Sequence, residues 1–145
     1  MKIGQLKDIP ETIHVNLISP IHQVNYLLSK KPTVPLTLVN MSSLAALQPF
    51  DCWSLYCCGK AARDQFFRSV ALEFPHVRVL NYAPGPCDTR LKTQILTEMP
   101  DGNELKAQMQ ALDWIPVEKT VDVLLNLLLK NEFENGTHLD YYDCC

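Results

Sequence analysis

Predicted strands and helices alternate along this 145-residue chain, and that order restricts its fold more than any other feature. Two short, mostly apolar runs at 36–41 and 77–82 are typical of strands buried on both faces. A third strand is predicted at 137–142, after an Asn-Gly turn. Helices are predicted at 11–30, 53–74 and 117–130, with shorter helical pieces between 89 and 112. Strands separated by helices of this length favour crossover connections and a parallel sheet.

The predicted sheet is small for strands of this type. The first two strands have apolar residues for both faces, which is typical of strands with a neighbour on each side. In a sheet of three strands, at most one strand has two neighbours. We therefore expect these strands to belong to a larger α/β sheet.

The five glycines exclude a glycine-rich phosphate loop within this sequence. Such a loop needs at least two glycines within a few positions, so that backbone N–H groups can approach the phosphate. No two glycines here are closer than 17 residues, the separation of Gly85 and Gly102. The sequence therefore contains neither a Rossmann fingerprint nor a P-loop.

Composition excludes several other classes of protein. The net charge is -3 and the basic residues are scattered, so we expect no nucleic-acid partner. No apolar run reaches the length that spans a bilayer, and Met1–Gln5 lacks the apolar part of a secretory signal. Six cysteines without a C-x-x-C pattern and four histidines without ligand spacing predict free thiols and no metal site. We expect a soluble, cytoplasmic protein.

Tyr56 and Lys60 are the residues with the clearest potential for catalysis. They are four positions apart on a predicted helix, so both side chains project from one face. An ammonium beside a phenol favours the phenolate, and we expect Lys60 to lower the pKa of Tyr56 so that it can exchange a proton with a carbonyl oxygen. Ser43 follows the first strand and can hydrogen-bond the same oxygen. Since a Tyr-x-x-x-Lys pair also arises by chance, a solvated helix face remains the alternative.

Three segments, Leu38–Ser43, Tyr56–Lys60 and Asn81–Pro86, together resemble the second half of a short-chain dehydrogenase/reductase. Residues 42–63, the segment Asn81–Thr89 and the tail His138–Asp143 are similar to the members of that family that reduce pterins. The resemblance implies a partial Rossmann-like α/β fold of three layers, forming a single truncated domain over residues 1–145. It also implies that the dinucleotide-binding half is missing and that the outer edge of the first strand is exposed.

The resemblance also implies roles for individual residues. The catalytic group would be Ser43, Tyr56 and Lys60, with Asn16 supporting a proton-relay water. The implied cofactor contacts are Lys60, Cys87, Asp88, Thr89, Arg90, Leu91 and Lys92, and Cys87 replaces a residue that is usually aliphatic. The implied substrate contacts are Ser43, Leu44, Tyr56, Gly85 and Asp140, with the Asp140 carboxylate accepting two N–H bonds from a pterin ring.

Two functions follow as expectations from this resemblance. The first is NADPH-dependent reduction of pterin side-chain carbonyl groups, the closing step of tetrahydrobiopterin synthesis. The second is a non-catalytic fragment that dimerises with a full-length reductase or regulates it. In either case the resemblance implies a homodimer-type contact through the helices at 11–30 and 53–74.

Overall fold

The computed structural model describes residues 3–99 and 101–145, without the side chains of residues 95, 98 and 105. The helices are α1 (Ile9–Ile13), α2 (Ser19–Ser29), α3 (Ser54–Glu73), α4 (Arg90–Glu98), α5 (Glu104–Gln110) and α6 (Val117–Lys130). The strands are β1 (Leu36–Met41), β2 (Val77–Ala83) and β3 (His138–Asp140). A π-helical turn (His14–Ile18) joins α1 to α2, and 3-10 turns span Leu44–Ala46 and Tyr141–Asp143.

The three strands form one parallel sheet in the order β1-β2-β3. Leu38 of β1 lies opposite Val79 of β2, and Ala83 lies opposite Asp140 of β3. β2 has a neighbour on both sides, and six of its seven residues are buried. The predicted α/β fold with a three-stranded parallel sheet is confirmed.

Alternate residues of β2 pack on opposite faces of the sheet. Val77 and Val79 join a buried cluster with Val24 of α2 and apolar residues of α3. Leu80 and Tyr82 join a second cluster with the apolar face of α6. The strand is apolar on both faces because it lies between two layers of helices.

The predicted helix at 11–30 is divided by the π-helical turn. Pro20 has no backbone N–H to donate, and the sequence predicts a kink or a late start there. α2 begins at Ser19 directly after the π-helical turn, which places Pro20 in its first turn. The helical backbone is continuous across this junction, since the N–H of Ser19 donates to the His14 carbonyl, and Pro20 follows directly after a π-helical turn, where the hydrogen-bond ladder is already irregular.

The third strand is shorter than the sequence predicts. β3 ends at Asp140, whereas the prediction extended it to Tyr142. The carboxylate of Asp140 accepts a hydrogen bond from the backbone N–H of Tyr142 at 3.1 Å and caps the 3-10 turn that follows. The side chain therefore turns the backbone away from the sheet.

Several apolar groups and one strand edge are exposed to solvent. β1 pairs only with β2 among the strands that the structure describes, so its outer edge is open. Val15 and Tyr26, on the helical segment before β1, are 60% and 65% exposed, and Leu72 of α3 is 83% exposed. Of the helices in the described ranges, none is both long and apolar enough to cross a membrane.

Candidate active site

Ser43 lies at the carboxyl end of β1, where the chain turns away from the sheet. The N–H of Ser42 still donates to the Tyr82 carbonyl at 2.7 Å, which extends the pairing of β1 and β2 by one residue. The Ser43 hydroxyl then accepts from the N–H of Ala45 at 3.2 Å and caps the turn Leu44–Ala46. Ser43 is therefore fixed on both sides, by the sheet and by its own cap, and Leu44 beside it is exposed.

Helix α3 brings Tyr56 and Lys60 to this end of β1. The Ser43 hydroxyl lies close enough to the Tyr56 phenol to lower its pKa. The Lys60 Nζ atom lies 5.5 Å from the centroid of the Tyr56 ring and donates to the Met41 carbonyl at 2.6 Å. The structure thus brings together the three residues that the sequence singled out, although they come from two elements.

The pKa of Tyr56 differs from the expectation drawn from its spacing to Lys60. Burial of the phenol raises the pKa of Tyr56 above the ordinary value and outweighs the lowering by the nearby Ser43 hydroxyl and by the charge of Arg63. The predicted lowering by Lys60 is wrong for this chain, because desolvation penalises the phenolate more than nearby charges favour it. Tyr56 is therefore held in its protonated form, as a proton donor requires.

Lys60 is the group with the most strongly shifted pKa at this site. Burial of the ammonium and the positive charge of Arg63 lower the pKa of Lys60 to about 8, against a smaller raising by the Asp64 carboxylate. A lysine with this pKa is mostly charged at neutral pH, yet it loses its proton more easily than a surface lysine.

Asn16 lies in the π-helical turn and contacts α3 beside Lys60. A Cβ atom placed on Gly59 would be 3.2 Å from the Cβ of Asn16, so the absence of a side chain at Gly59 permits this close approach. The Asn16 amide donates to the Thr12 carbonyl at 2.9 Å, within its own helical segment. The structure therefore brings Asn16 next to the site, while its amide is engaged elsewhere.

Residues 87–92 follow the Pro84–Pro86 turn at the carboxyl end of β2. Cys87 pairs with Ile115 in a one-residue bridge, and burial raises the pKa of its thiol. Asp88 pairs with Lys92 at 3.1 Å, and the Lys92 ammonium lies 5.1 Å from the centroid of the Trp114 ring. The exposed residues of this segment are Asp88, Thr89, Arg90 and Leu91.

Gly85 and the C-terminal tail form the other side of this region. Gly85 has a φ of 73°, and a Cβ atom there would lie 2.5 Å from Cδ1 of Ile115 and 3.6 Å from Cβ of Tyr141. A side chain at position 85 would therefore clash with Ile115, and the positive φ also favours glycine there. Asp140 lies at the start of the tail, opposite Ala83, with its Oδ1 atom occupied by the N–H of Tyr142.

A buried polar cluster next to the site was not anticipated from the sequence. The Asp64 carboxylate accepts from Ser42 Oγ at 2.6 Å and from Asn40 Nδ2 at 2.9 Å, and it pairs with His138 Nδ1 at 2.6 Å. Asn40 also donates to Asn81 on the neighbouring strand at 2.9 Å. The two asparagines Asn40 and Asn81, paired near the carboxyl ends of two mostly apolar strands, were the signal that could have indicated this cluster.

An open groove of about 690 Å³ lies elsewhere on the surface. It is lined by residues of α3 and of the segment 134–138, among them Arg68, Leu72 and His138. Ser43, Tyr56, Lys60 and Gly85 are not part of its lining. The groove therefore does not contain the residues that are candidates for catalysis, despite its volume.

Comparison with known proteins agrees with this architecture. Residues 2–100 match the family described as short chain dehydrogenase. Sepiapterin reductase of Meriones unguiculatus is 47% identical over 116 residues, which are 77% of this chain and 44% of that protein. The crystal structure of the KRED1-Pglu enzyme has a TM-score of 0.84 and 27% identity, covering 96% of this chain and 62% of its own.

A 4-hydroxyisoleucine dehydrogenase in complex with NADH and succinate has a TM-score of 0.73 and 20% identity, covering 97% of this chain and 60% of its own. At that identity the likeness concerns the fold alone. The chain spans about half the length of the curated relatives it matches. Because the family match extends over well more than half of the sequence, the chain belongs to the short-chain dehydrogenase family.

Proposed function

We propose that this chain carries the carbonyl-reducing site of a sepiapterin reductase, which uses NADPH to reduce a side-chain ketone of a pterin. The observation that carries the proposal is the convergence of three side chains at the end of β1, with the Ser43 hydroxyl near the Tyr56 phenol and the Lys60 Nζ atom 5.5 Å from the centroid of the Tyr56 ring. The similarity to sepiapterin reductases supports the pterin as substrate. A cytoplasmic location and the binding of a pterin ring by Asp140 are further parts of this proposal.

Each of the three side chains has a separate task in this reaction. The hydroxyls of Ser43 and Tyr56 donate to the carbonyl oxygen and polarise the C=O bond. When bound, NADPH supplies a hydride to the carbonyl carbon. Tyr56 transfers its proton to the oxygen, so the π bond of the ketone is replaced by one C–H and one O–H bond. The Lys60 ammonium stabilises the phenolate that this transfer leaves on Tyr56.

The described residues fit the nicotinamide end of the cofactor. Lys60 lies beside Tyr56, and the exposed residues Thr89, Arg90 and Leu91 follow the carboxyl end of β2, where open α/β sheets bind their ligands. The structure of a related fold holding NADH supports a nicotinamide cofactor in general. Since no two glycines are closer than 17 residues, these residues would contact the nicotinamide and its ribose rather than the pyrophosphate.

The test is the NADPH-dependent reduction of a pterin that carries a side-chain ketone. The reaction is measured as the loss of NADPH absorbance. It is run with the chain alone and with the chain fused to the nucleotide-binding half of a sepiapterin reductase. We expect Tyr56→Phe to lower the turnover of the fusion by about 100-fold or more, because the phenyl ring has no proton to give. Tyr26→Phe, at an exposed tyrosine of α2, is the matched control and should leave turnover unchanged. Retention of most of the turnover by Tyr56→Phe would contradict the proposal.

A second candidate function is that of a non-catalytic partner for a full-length reductase. The exposed apolar residues favour it, since Val15, Ile18 and Tyr26 precede β1 and Leu72 lies on α3. These residues lie within the helices at 11–30 and 53–74, for which the resemblance implies a dimer contact. NADPH titration of the chain alone separates the two candidates. Micromolar binding favours the enzyme, whereas no binding at millimolar NADPH, which we expect because a phosphate loop is missing from the sequence, favours the partner.

A further inference from the structure

The Asp64 carboxylate is a point where three parts of the fold meet. Asp64 belongs to α3, and its Oδ1 atom accepts from Asn40 of β1 at 2.9 Å and from Ser42 at 2.6 Å. Its Oδ2 atom pairs with Nδ1 of His138, the first residue of β3, at 2.6 Å. The side chains of Asp64 and His138 are only 3% and 6% exposed. Hydrogen bonds from β1, from the residue that follows it and from β3 therefore converge on one buried carboxylate of α3.

This cluster lies directly behind the proposed reducing site. Asp64 is one helical turn after Lys60, so both side chains leave α3 towards the end of β1. The Lys60 Nζ atom donates to the main-chain carbonyl of Met41 at 2.6 Å and lies 3.5 Å from that of Ser42. The side chain of Ser42 is bound to Asp64, and Ser43 is the next residue. Asp64 thus holds the short segment that provides both the acceptors of Lys60 and the Ser43 hydroxyl.

We propose that Asp64 and His138 are positioning residues, which hold the Ser42–Ser43 corner in the place where Ser43 and Lys60 both reach Tyr56. The importance of this placement rests on the function proposed above. Removing a carboxylate from water is costly, and packed apolar residues often stabilise a core equally well. A buried carboxylate beside a site is therefore better explained by geometry than by stability.

The two nitrogens of the His138 ring are used differently. Nδ1 lies 2.6 Å from Asp64, whereas Nε2 is buried and has no hydrogen-bond partner among the residues that the structure describes. Only the Nδ1 position matters in this proposal. An asparagine amide nitrogen occupies nearly the same place as Nδ1, and a glutamine amide nitrogen nearly the same place as Nε2. His138→Asn and His138→Gln therefore form a matched pair.

The measurement is the pKa of Lys60 in the full chain, from the pH dependence of its side-chain NMR signals without cofactor. Burial is the main cause that lowers the pKa of Lys60 to about 8. If the corner is released, water reaches the ammonium and the pKa moves back towards its ordinary value. We expect His138→Gln and Ser42→Ala to raise it by about half a unit or more, and His138→Asn to leave it near 8. Ser69→Ala is the control, since the Ser69 hydroxyl binds the Gln65 carbonyl outside the cluster.

Three results would overturn the proposal. One is an unchanged or lowered pKa of Lys60 in folded His138→Gln and Ser42→Ala chains. Another is the same raised pKa in the asparagine and glutamine variants. The third is failure of both His138→Gln and Ser42→Ala to fold while Ser69→Ala folds, since the cluster would then serve stability alone. Because no turnover is measured, a failure here is distinct from failure of the Tyr56→Phe test.

Discussion

Helix α3 carries two polar groups of residues, one turn apart, in opposite environments. Tyr56 and Lys60 are partly exposed, and the pKa of Lys60 is lowered to about 8. Asp64 is 2% exposed, and both of its oxygens are occupied by hydrogen bonds from side chains. A substrate can still reach the first group, whereas the second group has few unused hydrogen-bonding positions left for one.

Under the proposed function, the difference is one between a reactive group of residues and an unreactive group that keeps it in place. A hydroxyl or an amine that is to meet a substrate cannot be fully satisfied within the protein. The position of such a hydroxyl or amine must then be fixed by neighbouring groups whose own hydrogen bonds are all made within the protein. In this chain the satisfied group is Asp64 with Asn40, Ser42 and His138. Arg63 contacts both groups, because it donates to Asn40 and its charge acts on Tyr56.

Removal of the Asp64 carboxylate is expected to give the largest loss of stability. Asp64→Ala leaves the donors of Asn40, Ser42 and His138 buried without their acceptor, and we expect a loss of about 3–5 kcal/mol in the free energy of unfolding. Urea denaturation measures this loss. Gln65→Ala, at the exposed neighbouring position, should change the unfolding free energy by less than about 0.5 kcal/mol. A similar small change for Asp64→Ala would remove the contrast between the two groups.

Lys60 is expected to make the stability depend on pH above neutrality. Its pKa is lowered from 10.5 to about 8 in the folded chain, so the unfolded chain binds more protons between these values. The contribution of Lys60 to the free energy of unfolding must therefore rise with pH between 8 and 10.5. Lys60→Met removes this contribution, so the stability difference between wild type and variant should shift in favour of the wild type across this range. A difference that is flat with pH would mean that Lys60 is solvated like a surface lysine.

Substitution of Arg63 should give the smallest of these effects, and it tests the link between the two groups. The positive charge of Arg63 lowers the pKa of both Tyr56 and Lys60. Arg63→Met should therefore raise both pKa values, as followed by NMR titration. Arg68→Met, at an exposed arginine of the same helix, should change neither. If neither pKa value moves, Arg63, which is bound to Asn40 of the Asp64 group, does not connect that group to Tyr56 and Lys60.

Much of the candidate active site could be predicted from the sequence because its pattern is local. The four-residue spacing of Tyr56 and Lys60 fixes a common helix face, and Ser43 follows a recognisable apolar strand. Parallel pairing then brings strand ends to one edge of the sheet. The structure agrees with each of these steps, including the contact of Ser43 with Tyr56.

The remaining features depend on contacts that are distant in sequence. Asp64 and His138 are 74 residues apart, and nothing in either segment alone indicates their pairing. The pKa of Tyr56 was predicted in the wrong direction, because the extent of burial is set by packing and is not contained in the spacing to Lys60. The end of β3 was misplaced because Asp140 caps the following turn.

The open outer edge of β1 has a consequence for how the chain behaves at high concentration. Among the described strands this six-residue segment has one row of backbone N–H and C=O groups without a strand partner. Such a row is a template on which another extended chain can assemble by backbone pairing alone, whatever its side chains. Light scattering over a dilution series should therefore show that the average mass of the particles rises with protein concentration. A proline within Leu36–Met41 that disrupts the edge should suppress that rise.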